Sequence, residues 1–429
     1  MILFRPQDWL IPELARYEVI NVVAITALLA LLIDIMTGEI KIPDKLPALW
    51  LGIGIFVGIC MSHIAHTFLA GLTGSFEDYG KKFIFYLLVI LTVNSVRRIK
   101  ILVLVMTGAA LIMATHCILQ IHRGYGFTGR PPLYQKRPVG ESGEFRMQAR
   151  AYFFGTFEDP NDTALFLIPL CPLLLGIFSK KLWILVLPVV GYLLYGAYLT
   201  DSRGGMLGAI VLVLCLFHRF FNVKWTLIVL AGLTIGVTMA TPLAGSLGLI
   251  DDSSLDRAIF WGEANYIFKS SITNLLFGVG YAMLSSDYLE KDRAVHNSFV
   301  LSYTETGVFG YFFWFTLLAF VVFSAWYISR WVPENKKEKS LVRFAYYLVP
   351  ALAGSAASAY FLTRAFHLSW MLMMALGGAT YTAMADRIGW ERLNVRMRIT
   401  PRYWPIWFGM SLGSILFIYF TIRLINSIR

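Results

Sequence analysis

His296-Asn297-Ser298-Phe299-Val300-Leu301-Ser302-Tyr303-Thr304-Glu305-Thr306-Gly307-Val308-Phe309-Gly310 leads into an apolar run that continues to about residue 329. A run of ~20 such residues is long enough to cross a bilayer as a helix. This one enters from a titratable edge and carries a carboxylate, Glu305, two to three turns in. Carboxylates inside membrane segments are rare without a partner, so Glu305 is expected either to orient a polar network or to pair with a neighbouring Arg. Upstream, Asp256-Arg257, Trp261 and Asn274-Leu275-Leu276-Phe277-Gly278-Val279-Gly280 lie between two long apolar runs. A helix is thus expected to enter the membrane beside a His and an Arg.

The pattern recurs along the chain. Of 429 residues, 57% are hydrophobic and 15% charged, where a soluble chain carries roughly 25% charged. The fold class expected is an all-α polytopic membrane protein, a single integral membrane domain over 1–429. Spans are expected near 19–36, 47–71, 81–96, 99–120, 161–178, 182–199, 204–221, 225–244, 298–329, 342–363, 366–385 and 404–425, about twelve in all. Residues 121–160 form one polar loop and 245–296 a second, larger one. No cleavable signal pattern precedes the first span. Cys60, Cys117, Cys171 and Cys215 lie in apolar runs without zinc-site spacing and read as small buried hydrophobes.

The short basic turns Arg97-Arg98-Ile99-Lys100, Lys180-Lys181, Arg219 to Lys224, Arg330 to Arg343 and Arg387 to Arg402 fall on one side, expected to be cytoplasmic. Both long loops, Arg203 and Arg364-Ala365-Phe366-His367 then fall on the other. This parity puts both termini outside, so either a first span is missing or the count is off by one. The net charge of +11 fits this orientation, contact with anionic lipid, or attraction of an anionic substrate. Nucleic acid is excluded as a partner, because no polar basic domain exists to hold it.

Arg203 follows Thr200-Asp201-Ser202 and precedes Gly204, Gly205 and Gly208 at the start of a span. A cation at a helix N-terminus opposes the helix dipole. A bound anion would remove that conflict, since helix-start amides and a guanidinium fork both suit phosphate. The glycines would let the anion approach the backbone; pairing with Asp201 is the alternative. Arg257 opens a segment whose Phe260, Trp261, Ala264, Ile267 and Phe268 share one helical face. That face suits a helix lying on the membrane surface, with Arg257 reaching a headgroup or solvent.

The ~6.5 pKa of an unperturbed His suits His296 to proton transfer at neutral pH. Asn297 and Ser298 can hydrogen-bond a substrate or cap the helix. His63 and His66 have metal-ligand spacing without a third ligand, and His116, His122, His218 and His367 lie near span ends. Glu158-Asp159-Pro160-Asn161-Asp162 reads as a helix start, with Asp159 as N-cap and Pro160 at N1, in preference to a metal site. The loop before it interleaves Arg123, Arg130, Lys136, Arg137, Arg146 and Arg150 with Tyr125, Phe127 and Tyr134. Cations among aromatics suit a sugar phosphate or a solvated lid.

Together these motifs carry a resemblance. Phe154-Gly155-Thr156-Phe157-Glu158-Asp159-Pro160-Asn161-Asp162-Thr163-Ala164 resembles a G-x-F-x-x-P-N-x-x-A motif. With Ser202-Arg203-Gly204-Gly205, Arg257 to Trp261, Phe277-Gly278-Val279-Gly280 and His296-Asn297 followed by Glu305 and Gly307, the set is similar to the O-antigen ligase and polymerase superfamily. It covers most of the chain and is strongest over 150–315. The resemblance implies a C-type glycosyltransferase-like bundle with a large periplasmic loop in the bacterial inner membrane. It implies transfer of a glycan from undecaprenyl diphosphate, without a metal or other cofactor. Arg203 and Arg257 would hold the pyrophosphate, His296 would be catalytic, and Asn297, Glu305 and Asn161 would support them. The acceptor would be lipid A–core for a ligase, a second lipid-linked repeat for a polymerase, or a protein hydroxyl for an O-oligosaccharyltransferase, with the ligase set matching best. A lipid-linked-glycan flippase is the alternative of another class. It predicts inverted repeats and helices interrupted at the bilayer midplane.

Overall fold

The structure is a computed structural model that describes residues 3–17, 19–40, 46–139, 144–220, 252–288, 294–397 and 401–427. The expected span at 225–244 lies outside the described residues. Helices α1 (Val19–Met36), α2 (Pro47–Ile64), α3 (Leu69–Thr92) and α4 (Val96–Arg123) are followed by a hairpin of β1 (Leu133–Val139) and β2 (Glu144–Arg150). Then come α5 (Pro160–Ile177), α6 (Trp183–Leu199), α7 (Arg203–Phe220), α8 (Asp252–Phe268) and α9 (Ile272–Phe277). The chain ends in α10 (Ser298–Ile328), α11 (Lys336–Ala359), α12 (Leu368–Ile388), the short α13 (Trp390–Met397) and α14 (Trp404–Ser427).

Local chemistry sets many of these boundaries. Pro47 and Pro160 occupy first-turn positions, where a missing N–H costs nothing. Asn335 caps α11 by accepting from Lys337 N at 3.0 Å and Glu338 N at 2.9 Å, while Glu338 reaches back to accept from Glu334 N at 2.8 Å. Helices α5 and α12 are buried along nearly their whole length and form the centre of the bundle. Helix α1 is apolar yet turns Val22, Ile25 and Ile33 outward, as a lipid-facing helix does.

Among the described residues, seven helices are long and apolar enough to cross a membrane, by length and composition: Val19–Met36, Pro47–Ile64, Val96–Arg123, Pro160–Ile177, Lys180–Leu199, Ser298–Ile328 and Trp404–Arg423. The chain is a multi-pass membrane protein on that count, and these seven helices coincide with seven of the twelve expected spans. Helices α3, α7, α11 and α12 coincide with other expected spans but are shorter apolar stretches or more polar. The expected spans at 47–71 and 81–96 are also redrawn. Helix α2 stops at Ile64, the chain reverses over residues 65–68 with Thr67 at φ 55°, and α3 starts at Leu69. Apolar residues flank His66-Thr67 closely on both sides, so composition alone runs across the reversal.

Both expected loops hold regular structure. Within 121–160, β1 and β2 pair antiparallel, with Gln135 opposite Gln148 and Lys136 opposite Met147. In the second loop, the apolar face of α8 turns into the protein. Trp261, Ala264 and Phe268 are buried, Tyr303 Oη donates to Asn265 Oδ1 at 2.7 Å, and the helix packs on α10 and α14. The same apolar stripe suits a bilayer surface or a protein core, and here neighbouring helices cover it.

Helix α10 is interrupted at Gly307, with φ 65° and ψ −175°. The segment after α9 fills the interruption: Val279 N donates to Thr304 O at 2.9 Å and Gly280 N to Glu305 O at 3.1 Å. The piece after the break, residues 308–328, is about 32 Å long at 1.5 Å per residue. That matches the ~30 Å hydrocarbon thickness. The break therefore falls at one end of a span rather than at its middle.

Candidate functional site

The starts of α5, α7, α10 and α12 meet at the end of the bundle that carries the hairpin. The other end carries the basic start of α4, the basic turn before α6 and that between α10 and α11. Arg203 is the first residue of α7. Ser202 caps this helix, its Oγ accepting from Gly205 N at 3.0 Å while donating to Asn161 Oδ1 at 2.7 Å. Asn161 Oδ1 also accepts from Arg150 Nη2 at 3.3 Å, and Arg150 Nε donates to Thr200 O at 3.2 Å. Asn161 thus ties the start of α5 to the turn that presents Arg203. Asp201, in that turn, has φ +50°.

The glycines after Arg203 face neighbouring helices. A side chain on Gly204 would meet Leu362 at 3.0 Å, one on Gly205 would meet Ala164 at 2.8 Å, and Gly208 crosses Gly354 of α11. They let α7 pack closely on α5 and α11, the use small residues have between membrane helices.

His296 stands just before α10 with φ +51° and donates its backbone N–H to Thr363 Oγ1 at 2.7 Å. Asn297, fully buried, is the N-cap, accepting from Phe299 N at 2.9 Å and Val300 N at 3.2 Å. Ser298 Oγ donates to Leu362 O at 2.6 Å and accepts from Arg364 N at 2.8 Å. Of the two roles expected for Asn297 and Ser298, these contacts perform the structural one. The stretch Ser358–Arg364 also receives α7: Ser358 Oγ donates to Gly204 O at 3.0 Å, and Leu362 packs on Gly204. Arg203 and His296 are therefore docked on the same short stretch of chain. Helix α8 is fixed beside His296 because Trp261 Nε1 donates to Val295 O at 2.6 Å. Arg257 lies on that helix, and its side chain is outside the described residues.

Glu305 belongs to a different contact. Its buried carboxylate accepts from the backbone N–H groups of Ala282 and Leu284. The expected partner was an Arg or a side-chain network, and the observed partners are amides of the segment folded against the α10 interruption. Sequence spacing cannot show this, because the donors are main-chain groups brought in by a turn.

One cluster was not singled out. Arg364 Nη2 lies 3.1 Å from Asp159 Oδ2, and its Nε bonds Asp162 Oδ1. Asp159 remains the N-cap of α5, accepting from Asn161 N at 2.7 Å. Burial alone would lower the Arg364 pKa, but the two carboxylates raise it. His367 Nδ1 accepts from Ser369 N at 3.2 Å, so Nε2 carries the proton and donates to Thr156 O at 2.9 Å. Burial lowers the His367 pKa, with Asp162 opposing, so the ring is neutral at neutral pH. The signal for this cluster was Arg364 itself, a cation on the same side as Arg203. Arg364→Ala strands the Asp162 carboxylate, which is 6% exposed. The Arg364 side chain is 26% exposed, so the expected cost is about 2–3 kcal/mol, below the ~3–5 kcal/mol of a fully buried pair. Thermal unfolding in detergent measures it, and Asp162→Asn should cost less because an amide still accepts from the guanidinium.

The loop cations divide. Arg130 is bound to Glu158 at 2.7 Å and lies over Tyr152 and Phe154, with Arg150 held as described, whereas Lys136 and Arg146 are exposed. Two cavities of about 540 and 450 Å³ open at this end, the first between Arg5, Asp8, Arg130 and Glu158 and the second between Arg5, Asp78, Lys82 and Thr156. Neither is lined by Arg203 or His296. His66 Nε2 lies 2.8 Å from Gly278 O, so it holds the α10-facing segment. Among the described residues, no three His, Cys, Asp or Glu side chains form a metal-ligand set. The chain matches no known protein-family model and no curated protein.

Proposed function

We propose that the chain is an inverting, metal-independent glycosyltransferase of the bacterial inner membrane, similar to the O-antigen ligases, with about twelve spans. The observation that carries this reading is the docking of Gly204, next to Arg203, and of the His296 backbone on one stretch, Ser358–Arg364, at the bundle end opposite the basic turns. By the positive-inside rule that end faces the periplasm. An undecaprenyl-diphosphate-linked glycan enters from the bilayer. Arg203 and Arg257 hold the diphosphate and stabilise the charge that grows as it leaves. An acceptor hydroxyl oxygen attacks the anomeric carbon from the opposite face. The carbon–oxygen bond to the diphosphate breaks, and the hydroxyl proton passes to His296. Asn161 supports Arg203 through Ser202, and Asn297 supports His296 as its helix cap.

Purified protein in detergent, given lipid-linked repeat units with and without lipid A–core, tests this reading. Transfer only with lipid A–core makes the chain a ligase, and ladder growth without it makes it a polymerase. Absence of transfer to lipid A–core, to a second repeat or to a protein hydroxyl overturns the reading. In the same assay Arg203→Ala should lose about 10²–10³-fold in turnover, the cost of removing a group that stabilises developing charge. Arg203→Lys should recover only part, since an ammonium does not reproduce the fork. Full activity in Arg203→Ala removes diphosphate binding from its role.

The interruption of α10 is what a flippase or other transporter would predict. Two features weigh against that reading. The carbonyls freed at Thr304 and Glu305 accept from Val279 and Gly280, so the break is satisfied by the chain itself, and it lies near a span end.

A further inference from the structure

We infer that Thr363 is a positioning residue for His296. The inference rests on the proposed function, in which the His296 imidazole receives the acceptor proton. His296 adopts φ +51°, a left-handed conformation that non-glycine residues hold only when their surroundings impose it. What meets its N–H is the Thr363 hydroxyl, at 2.7 Å. The direction of the His296 side chain follows from that backbone conformation.

Thr363 is suited to this because its own place is fixed from several sides. Leu362 O accepts from Ser298 Oγ at 2.6 Å. Arg364 N donates to the same Ser298 oxygen at 2.8 Å, and the Arg364 guanidinium is held by Asp159 and Asp162 at the start of α5. Arg364 Nη1 returns to Thr363 O at 3.0 Å. The ion pair thus clamps the turn, and the turn offers one hydroxyl to His296.

The contact is not needed to start α10. Asn297 caps that helix with two hydrogen bonds, and Ser298 ties it to Leu362 and Arg364, all without Thr363 Oγ1. The Thr363 hydroxyl adds the orientation of one residue, His296. Its loss should therefore be felt in the chemical step rather than in donor binding.

The test is glycan-transfer kinetics of Thr363→Val and Thr363→Ser beside His296→Ala. Thr363→Val keeps the shape and removes the acceptor; it should lower kcat about 10–100-fold, the scale set by misplacing a reacting group by about 1 Å. The donor KM should stay within about twofold, and Thr363→Ser should restore most of kcat. If Thr363→Val does not fold, Thr363→Ala carries the same expectation. Wild-type kcat in the Val or Ala variant, with His296→Ala inactive, overturns the inference and leaves the proposed function standing. Equal losses in Thr363→Ser and Thr363→Val, or a loss confined to KM, also overturn it. An active His296→Ala removes His296 from the chemical step, and overturns the inference with it, while the transfer it shows leaves the glycosyltransferase reading standing.

Discussion

If the proposed function holds, His296→Ala should lower glycan transfer by about 10²–10⁴-fold, the range general acid–base groups contribute, while the purified variant should still bind the lipid-linked donor. The expectation follows from the division of labour in the proposed site. Arg203 stands on α7 and Arg257 on α8, so neither depends on the His296 side chain for its place. The helix behind His296 is capped by Asn297, so the substitution leaves the start of α10 intact. Turnover and donor affinity should separate. Transfer rates in detergent and donor binding to the same preparation measure the two quantities. Unchanged turnover would exclude His296 as the proton acceptor. Lost donor binding would instead make it part of the diphosphate site.

Gly278→Ala should prevent accumulation of folded protein. Gly278 has φ +79° and ψ −176°, backbone that residues with a Cβ scarcely adopt. An added Cβ would also overlap the Glu305 carbonyl and the Thr306 nitrogen. Gly307 faces the same crossing from the other strand of chain, where its Cβ would overlap the Leu276 carbonyl. Strained backbone costs about 1–3 kcal/mol and overpacking another ~1–3 kcal/mol or more. Together they approach the whole stability of many domains, ~5–15 kcal/mol. Folded yield by size-exclusion chromatography in detergent should collapse for Gly278→Ala and for Gly307→Ala alike. Gly74→Ala, at a position with open space around it, should leave the yield unchanged. Normal yield from Gly278→Ala would mean that the two chain segments do not cross as described.

The membrane class, most helix starts and the Asp159 cap of α5 were legible in sequence because each rests on local signals: apolar length, Pro at N1 and a side chain beside free amides. What was not legible depends on contacts between distant residues. The glycines after Arg203 carry the same letters whether they admit an anion or a neighbouring helix. Only the approach of Ala164, Leu362 and Gly354 decides it. The α8 stripe predicted a lipid surface and met α10 instead. Glu305 signalled a partner but not its kind, because backbone donors leave no mark in composition. Arg364 was visible as a cation on the right side; its carboxylates lie some 200 residues earlier.

The filled interruption in α10 also bears on the order in which the chain is assembled. Residues 298–328 reach the insertion machinery as one apolar stretch after the segment that later fills the break. Until residues 278–284 fold back, the Glu305 carboxyl lacks the Ala282 and Leu284 amides, and the Thr304 and Glu305 carbonyls lack the N–H donors of Val279 and Gly280. A continuous helix meets those carbonyls from within, so the stretch should insert unbroken and bend afterwards. Formation of the break then marks the arrival of the α8–α9 region, whose Trp261 bonds Val295 O next to His296. The candidate site is in this sense a late product of membrane assembly, completed only when the second long loop has docked.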